Sequence, residues 1–411
     1  MNRFTSTILL TVFVLSAGPL NAQHQLTNFE YPTVVDTKDH AISQQEKKVY
    51  TINGVSVDNT FDGARLNSFS HIEGNRFEIK ITAENEPINP SPWYAFRIMS
   101  EGAKTVVIEL EYGKANHRYW PKISEDGKNW RRIDSTNFEV LKGRKRARLI
   151  LEVDSDKTWV SGQEIINSTD ITDWAKQFAN IDETQFEAIG KSKLGRDLVH
   201  LDIKNGATKN KEIIAVVSRQ HPPEVTGNMA MIAFIEEIMN DSDLSKKFRE
   251  KYRVLVYPML NPDGVDLGHW RHNAGGIDLN RDWAEYNQPE IRQICEDIIK
   301  KANAANSEVI LGLDFHSTYS DVYYTIADSI QTVMPTFAND WIAEIEKNLE
   351  GFNARVSPAA VTSPVSKNWF YNEFKAVGIV YEIGDSTPRN IIKKKGEVSA
   401  REMMKILMER K

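Results

Sequence analysis

Four short, almost uninterrupted apolar runs in the second half of the chain constrain its fold more than any other feature. They are Glu212–Ser218, Arg253–Met259, Glu308–Phe315 and Val377–Ile383. Their length is typical of strands, and strands are apolar throughout when helices cover both faces of their sheet. The segments between and after them have helical periodicity, and we predict helices over Val225–Met239, Pro289–Ala302, Thr336–Leu349 and Glu397–Met408. The pattern predicts an α/β domain over residues 161–411, with a mixed, largely parallel sheet flanked by helices.

Residues 49–160 follow a different pattern of short alternating runs separated by turns, as in Arg76–Thr82 and Thr105–Tyr112. Such a series with almost no helical period predicts an all-β, antiparallel sandwich domain before the α/β domain. Residues 23–48 lack periodicity, and we interpret them as a loosely ordered lead-in. Six aromatic residues of the sandwich could form a sugar-binding platform, although core packing is the favoured interpretation. They are Trp93, Tyr94, Phe96, Tyr119, Trp120 and Trp130.

Residues 1–22 have the three-part pattern of a cleaved secretory signal peptide, with Arg3 before the apolar run Ile8–Leu15 and small residues up to Ala22. The apolar run is too short to span a bilayer comfortably, so we expect a secreted or periplasmic protein without stable membrane insertion after cleavage. A net charge of -6 argues against nucleic acid as a partner. Cys295 is the only cysteine, which excludes an intramolecular disulfide, and we interpret it as a buried structural thiol.

Side chains capable of chemistry follow the ends of several predicted strands, and functional groups gather at such ends in α/β sheets. They are His221, Glu224, Arg271, Arg281, His316 and Glu382. Among the other histidines, His200 lies inside a strand and is interpreted as structural. His269 and His272 lie in a loop and are interpreted as substrate contacts or as exposed residues. His221, His316 and Glu224 form a set that leaves a fourth coordination position open, which predicts one Zn²⁺ ion.

Five motifs in order resemble the zinc metallocarboxypeptidase family that includes carboxypeptidase A. They are His221-Pro-Pro-Glu224, Trp270-Arg-His-Asn273, Asp278-Leu-Asn-Arg-Asp-Trp283, Asp314-Phe-His-Ser317 and Val380-Tyr-Glu-Ile-Gly384. The resemblance covers about Ser161–Lys411. It extends more loosely to Trp93–Arg97 in the sandwich, which resembles the branch with an N-terminal β domain, typified by cytosolic carboxypeptidases.

The resemblance implies a role for each matched residue. His221, Glu224 and His316 would bind zinc, and Asp278 would orient the first histidine. Its alternative role is to cap the turn that follows it. Glu382 would be the general base.

The remaining matches concern the substrate and the developing charge. Arg271 would stabilise the oxyanion of the reaction. Asn280 and Arg281 would bind the terminal carboxylate of a peptide substrate.

Two positions make the specificity of the predicted enzyme distinctive. Family spacing puts Ala360 where relatives have a substrate-binding tyrosine. It puts Lys367 in the specificity pocket, where an ammonium group would favour a C-terminal Glu or Asp. The alternative is a surface lysine on a variable loop.

The sequence therefore predicts a secreted or periplasmic zinc carboxypeptidase. Rivals with the same chemistry are a peptidase that cuts cell-wall stem peptides and an amidohydrolase acting on acylated amino acids. A rival of a different class is a non-catalytic binding protein on the same fold. No prediction of the oligomeric state follows from the sequence.

Overall fold

Two β-sheets packed on a shared apolar core form the N-terminal part of the protein. The computed structural model describes residues 23–410, so the predicted signal peptide lies outside the described residues. The strands are β1 (Val49–Ile52), β2 (Val55–Asp58), β3 (Ser68–Glu73), β4 (Arg76–Lys80), β5 (Ala95–Ser100), β6 (Lys104–Glu111), β7 (Lys122–Ser124), β8 (Arg131–Arg132), β9 (Phe138–Val140), β10 (Arg146–Val153) and β11 (Thr158–Ser161). Their orders are β1-β2-β5-β11-β7-β8 and β3-β4-β6-β10-β9.

This arrangement confirms the predicted β-sandwich, with one correction to its strand directions. β4 and β6 pair in parallel, because the chain passes through β5 in the other sheet between them. Trp93, Tyr94, Phe96 and Tyr119 are buried in the sandwich core, whereas 37% of Trp120 is exposed. Core packing therefore accounts for four of the six aromatic side chains.

One eight-stranded sheet with helices on both faces forms the rest of the chain. Its elements are α1 (Ser168–Lys176), β12 (Thr184–Lys191), β13 (Asp197–Ile203), β14 (Ile213–Ser218), α2 (Val225–Met239), α3 (Asp243–Lys251), β15 (Arg253–Tyr257), α4 (Pro262–Asp266), α5 (Pro289–Ala305), β16 (Val309–Thr318), β17 (Val322–Ile326), α6 (Phe337–Asn348), β18 (Val356–Ala359), α7 (Ser366–Phe374), β19 (Val377–Gly384) and α8 (Arg389–Glu409). The strand order is β12-β13-β15-β14-β16-β19-β17-β18. The central strands β15, β14, β16 and β19 are parallel, which confirms the predicted mixed α/β fold.

Strand β14 shows why the apolar runs predicted this fold. Ile214 and Val216 join the core beneath α2 and α8, while Ile213 and Val217 join the core beneath α5 and α7. Successive side chains of a strand point to opposite faces, so a strand covered on both faces needs an apolar residue at every position. Cys295 of α5 is buried in the second of these cores, as predicted.

The structure differs from the predicted elements mainly where polar residues are packed. Helix α8 begins at Arg389, eight residues before the predicted start, because Ile392 is buried and the Lys395 ammonium pairs with Asp321 in the protein. Helix α1 begins with a capping box, in which the Asn167 side chain accepts a 3.0 Å hydrogen bond from the Asp170 amide and the Asp170 side chain accepts a 2.9 Å hydrogen bond from the Asn167 amide.

Residues 23–48 lie against the folded domains instead of forming a loosely ordered lead-in. Leu26 and Phe29 pack on the core beneath α5, and the Tyr286 hydroxyl donates a 2.7 Å hydrogen bond to the Thr27 carbonyl. The interpretation of residues 23–48 as loosely ordered missed these contacts, because isolated apolar residues in a polar segment carry no periodic signal. Within residues 23–410, no helix combines the length and the apolar character needed to cross a bilayer.

Candidate active site

His221, Glu224 and His316 meet at the carboxyl edge of the parallel strands. His221 and Glu224 lie between β14 and α2, and His316 lies near the end of the adjacent strand β16. The Nδ1 atom of His221 is 2.8 Å from one Glu224 oxygen, and Nδ1 of His316 is 2.6 Å from the other. One ligand atom from each residue lies within 4.8 Å of the others, and all three residues are buried. The prediction that these residues converge is confirmed.

A carboxylate holds the outer nitrogen of each of these histidines. His221 Nε2 is 2.9 Å from Asp278 Oδ1, and His316 Nε2 is 2.8 Å from Asp314 Oδ2. When Nε2 donates to a carboxylate, the lone pair of Nδ1 is free to face a cation. Two neutral imidazole nitrogens and one carboxylate suit zinc, so the donor set fits the predicted ion.

Asp314 is a functional residue that the sequence analysis did not assign. It lies two residues before His316 on β16, and this spacing puts both side chains on the same face of the strand. The Gln220 amide donates a 2.6 Å hydrogen bond to its Oδ2 atom, and the Ser366 hydroxyl donates to the same oxygen. The two-residue spacing was the signal that could have identified it.

Asp278 performs both of the roles considered for it. Besides contacting His221, Oδ1 accepts a 3.0 Å hydrogen bond from the Asn280 amide and so caps the following turn. Its other oxygen accepts a 2.8 Å hydrogen bond from Arg271 Nε. One carboxylate therefore links the histidine of the metal-ligand set, the predicted oxyanion arginine and the turn predicted to bind substrate.

Glu382 lies beside the metal ligands because β19 pairs in parallel with β16, with Glu382 opposite His316. Among the described residues, its Oε2 atom has no hydrogen-bond partner although it is enclosed by protein. Desolvation and the nearby Glu224 carboxylate raise the pKa of Glu382 to about 8. A carboxylate with these properties is suited to accept a proton.

A cavity of about 340 Å³ brings the predicted residues together, and Asp278 contacts two of the residues that line it, His221 and Arg271. The predicted residues that line it are His221, Glu224, Arg271, Asn280, Arg281, His316, Lys367 and Glu382. Ala360 also lines the cavity, and Tyr324 of β17 reaches it from another part of the sheet. A tyrosine side chain is therefore available at the cavity even though position 360 is alanine.

Lys367 lies in the first turn of α7 with 5% of its surface exposed, so the alternative of a surface lysine on a loop is wrong. Its carbonyl can approach β19 closely because Gly378 has no side chain. A Cβ atom there would lie 2.1 Å from the Lys367 carbonyl oxygen. The ammonium donates a 2.8 Å hydrogen bond to Asn368 Oδ1, and burial lowers the pKa of Lys367 to about 8.

The β-sandwich also contributes to the cavity, through Asn89, Ser91 and Arg118. Arg118 Nε donates a 2.8 Å hydrogen bond to Asp385 Oδ2, and its Nη1 donates a 2.6 Å bond to Ser91 Oγ. No sequence signal could have revealed the first contact, because 267 positions separate its partners.

The other candidate histidines lie outside the cavity lining. His269 and His272 are buried between the two domains, which corrects the prediction of substrate contacts or exposed side chains. His269 Nδ1 is 3.0 Å from the His272 carbonyl oxygen. His200 is fully buried in β13 with its ring against Tyr257, in agreement with the structural role predicted for it.

Two family models match separate parts of the chain. Residues 171–398 match the zinc carboxypeptidase family model, and residues 57–162 match the model for the cytosolic carboxypeptidase N-terminal domain. The chain is 26% identical over 240 residues to an uncharacterised protein of Zymomonas mobilis, covering 56% of this chain and 60% of that protein. It is 29% identical over 148 residues to mouse cytosolic carboxypeptidase 6, covering 34% of this chain and 27% of that protein.

Two solved structures align with most of the chain. A metallo-carboxypeptidase from Burkholderia cenocepacia aligns with a TM-score of 0.71 and 15% identity, covering 86% of this chain and 98% of that chain. A metallo-carboxypeptidase from Pseudomonas aeruginosa aligns with a TM-score of 0.69 and 18% identity, covering 86% of this chain and 99% of that chain. At these identities the likeness establishes the fold alone. Because the family model matches more than half of the residues of this chain, the chain belongs to the zinc carboxypeptidase family.

Proposed function

We propose that this protein is a zinc-dependent carboxypeptidase that releases the C-terminal residue of peptides. The observation that carries the proposal is the convergence of a His₂Glu ligand set, the enclosed carboxylate of Glu382 and Arg271 on one cavity. The chain spans less than two thirds of the length of the curated relatives described above, so the activity is argued from this site.

His221, Glu224 and His316 hold the metal in this proposal. A zinc ion bound there would supply Lewis acidity for the activation of water and of a carbonyl oxygen. Glu382 takes a proton from the attacking water and transfers it to the amine that leaves. Desolvation raises its pKa, which makes the group a stronger proton acceptor than an exposed carboxylate.

Arg271 stabilises the negative charge that develops on the substrate oxygen. Its guanidinium is held by Asp278 through Nε, so its orientation is set before the substrate binds. Asn280 and Arg281 bind the terminal carboxylate, and their position in the cavity supports this role. Arg281 Nη1 donates a 2.6 Å hydrogen bond to the Asn280 carbonyl, which fixes the two residues relative to each other.

We further propose a preference for an acidic C-terminal residue. Lys367 lines the cavity, and its ammonium is removed from bulk water. An ionic hydrogen bond to a substrate carboxylate is stronger there than at the protein surface. Hydrolysis of matched peptides ending in Glu, Leu and Lys tests this preference. Equal values of kcat/KM for Glu and Leu would contradict it.

The location of the protein remains a proposal that depends on residues 1–22. The charged start, apolar run and small residues of this segment support export, whereas several relatives are named cytosolic carboxypeptidases. Fractionation of cells producing the full chain, combined with N-terminal sequencing, tests the proposal. A protein that starts near Gln23 outside the cytoplasm supports export, and an unprocessed cytoplasmic protein contradicts it.

The substrate class is tested by mass spectrometry of products from a mixed pool of linear peptides and cell-wall stem peptides. The proposal predicts that linear peptides lose single C-terminal residues and that the loss requires Glu382. Products from stem peptides alone would favour the cell-wall peptidase. Exported enzymes have access to cell-wall peptides, so the predicted signal peptide favours the cell-wall peptidase as a second candidate function.

A further inference from the structure

The loop that carries Arg271 is held by a carboxylate from the other domain. Glu84, between β4 and β5 of the sandwich, is fully buried. Its Oε2 atom accepts a 2.7 Å hydrogen bond from the Trp270 amide, and its Oε1 atom accepts hydrogen bonds of 2.9 and 2.6 Å from the Arg271 and His272 amides. Three consecutive backbone N–H groups thus converge on one side chain.

Neighbouring contacts fix the same loop to the sandwich. Asn85 Oδ1 is 2.5 Å from His272 Nδ1, and its amide donates a 2.9 Å hydrogen bond to the Gly276 carbonyl. The Trp270 ring packs in the sandwich core, and its Nε1 donates a 3.0 Å hydrogen bond to the Trp93 carbonyl. The backbone on both sides of Arg271 is therefore tied to the β domain.

Glu84 is an unusual residue for a purely structural contact, because a buried charge is costly unless it is well compensated. Burial alone would raise the pKa of Glu84, but His269, Arg65, His272 and the His272 amide outweigh this effect and lower the pKa. The group therefore stays ionised, and an ionised acceptor makes stronger hydrogen bonds to backbone N–H groups than a neutral one.

On the basis of the proposed function, we propose that Glu84 is a positioning residue for catalysis, which holds segment 270–272 so that Arg271 faces the developing oxyanion. The β-sandwich is then part of the catalytic apparatus and not only a neighbour of it. The arginine side chain is fixed at two points: Glu84 holds its backbone, and Asp278 holds its Nε.

Glu84→Gln tests the proposal with the least change of shape. The amide keeps one acceptor oxygen and turns an NH₂ group towards at least one backbone donor, so the three N–H groups cannot all be satisfied. Because small displacements of catalytic groups are costly, we expect kcat to fall about 10- to 100-fold. We expect KM to change less than about threefold and zinc content to stay the same, because Glu84 contacts neither the metal-ligand residues nor the substrate.

Glu164→Gln is the matched control. Glu164 is also a carboxylate at the contact between domains, where it lies 3.8 Å from the Lys122 ammonium of the sandwich and accepts a 2.8 Å hydrogen bond from Arg389 Nε, but it does not contact the Arg271 loop. We expect this variant to keep the kcat of the wild type even if its thermal stability falls. An equal loss of kcat in both variants would show that any weakening of the contact between domains lowers activity, and would overturn the proposal.

A double-mutant cycle separates positioning from general damage. In an Arg271→Ala background, Glu84→Gln should lower kcat less than about threefold further, because residues that act through one another are non-additive. A full additional 10- to 100-fold loss would refute a role through Arg271. If Glu84→Gln does not fold, Asn85→Ala removes the adjacent contacts of the same loop and should show the same dependence on Arg271.

Hydrogen exchange gives a measurement that does not depend on turnover. The amides of Trp270, Arg271 and His272 should exchange faster in Glu84→Gln than in the wild type and in Glu164→Gln. Wild-type protein that hydrolyses no peptide would refute the proposed function, while this measurement would still report on the loop. Unchanged exchange at all three amides would overturn the positioning role itself.

Discussion

Replacing Lys367 with methionine removes the ammonium from the cavity while keeping a side chain of similar length. In the structure the ammonium is almost fully enclosed and donates a hydrogen bond to the Asn368 side chain. A substrate carboxylate would therefore be its natural ionic partner. Hydrogen bonds that involve a charged group contribute about 1.5–3 kcal/mol, which corresponds to a roughly 10- to 150-fold change in kcat/KM.

The assay compares kcat/KM for three acylated dipeptides that differ in their last residue: Glu, Gln or Leu. We expect the ratio of Glu to Gln to fall in Lys367→Met by the factor given above, while values for Leu stay the same or rise. Lys394→Met removes an exposed charge from α8 and is the control for net charge. An unchanged Glu to Gln ratio in Lys367→Met would refute the assignment of Lys367 to the specificity pocket.

The pH dependence provides an independent check of the same residue. Burial lowers the pKa of Lys367 to about 8, so the ammonium is charged below this pH and loses its proton as the pH rises through it. The preference for Glu over Gln should therefore be strong at pH 6–7 and decline above about pH 8. In Lys367→Met the ratio should be low and independent of pH, and a wild-type ratio that rises above pH 8 would contradict the argument.

Three further changes test other parts of the site. Glu382→Gln should retain zinc but lose turnover by orders of magnitude. In the wild type, kcat/KM should rise with pH as Glu382 loses its proton, with a midpoint below pH 8 because bound zinc opposes the upward pKa shift. A kcat/KM that does not depend on pH would contradict this role. Asp314→Asn should weaken zinc binding about 10- to 100-fold in a chelator competition, because it holds His316; unchanged affinity would show that this contact does not matter. Gly227→Ala should disturb the metal site, since its Cβ atom would lie 2.1 Å from the His316 carbonyl oxygen, and full zinc occupancy with wild-type stability would count against so tight a contact.

The sequence predicted the central sheet and the convergence of the metal ligands because both follow from local patterns. Strands such as β14 are apolar at nearly every position, with only Ser218 at its end polar, and His221 and His316 lie at the carboxyl edge of adjacent parallel strands. The edge strands β12 and β18, and β17 next to β18, were not predicted. They contain polar and partly exposed residues, so the apolar signal is absent.

The contribution of the sandwich to the site could not be predicted. Glu84 contacts the Arg271 amide across 187 positions, and Arg118 reaches Asp385 across 267. Neither residue belongs to a local motif, because each acts only through tertiary contacts. Asp314 is the intermediate case, since its two-residue spacing from His316 was visible in the sequence but its role depends on the direction of the ring.

The central claim is that one zinc ion and Glu382 together release C-terminal residues at this site. Its most direct test is to measure the zinc content of the wild type, Glu382→Gln and His316→Ala, and to follow a defined peptide with each protein by mass spectrometry. We predict about one zinc and a ladder of C-terminal products for the wild type, about one zinc without a ladder for Glu382→Gln, and depleted zinc without a ladder for His316→Ala. A ladder of normal rate from Glu382→Gln, or zinc content unchanged by His316→Ala, would contradict the account.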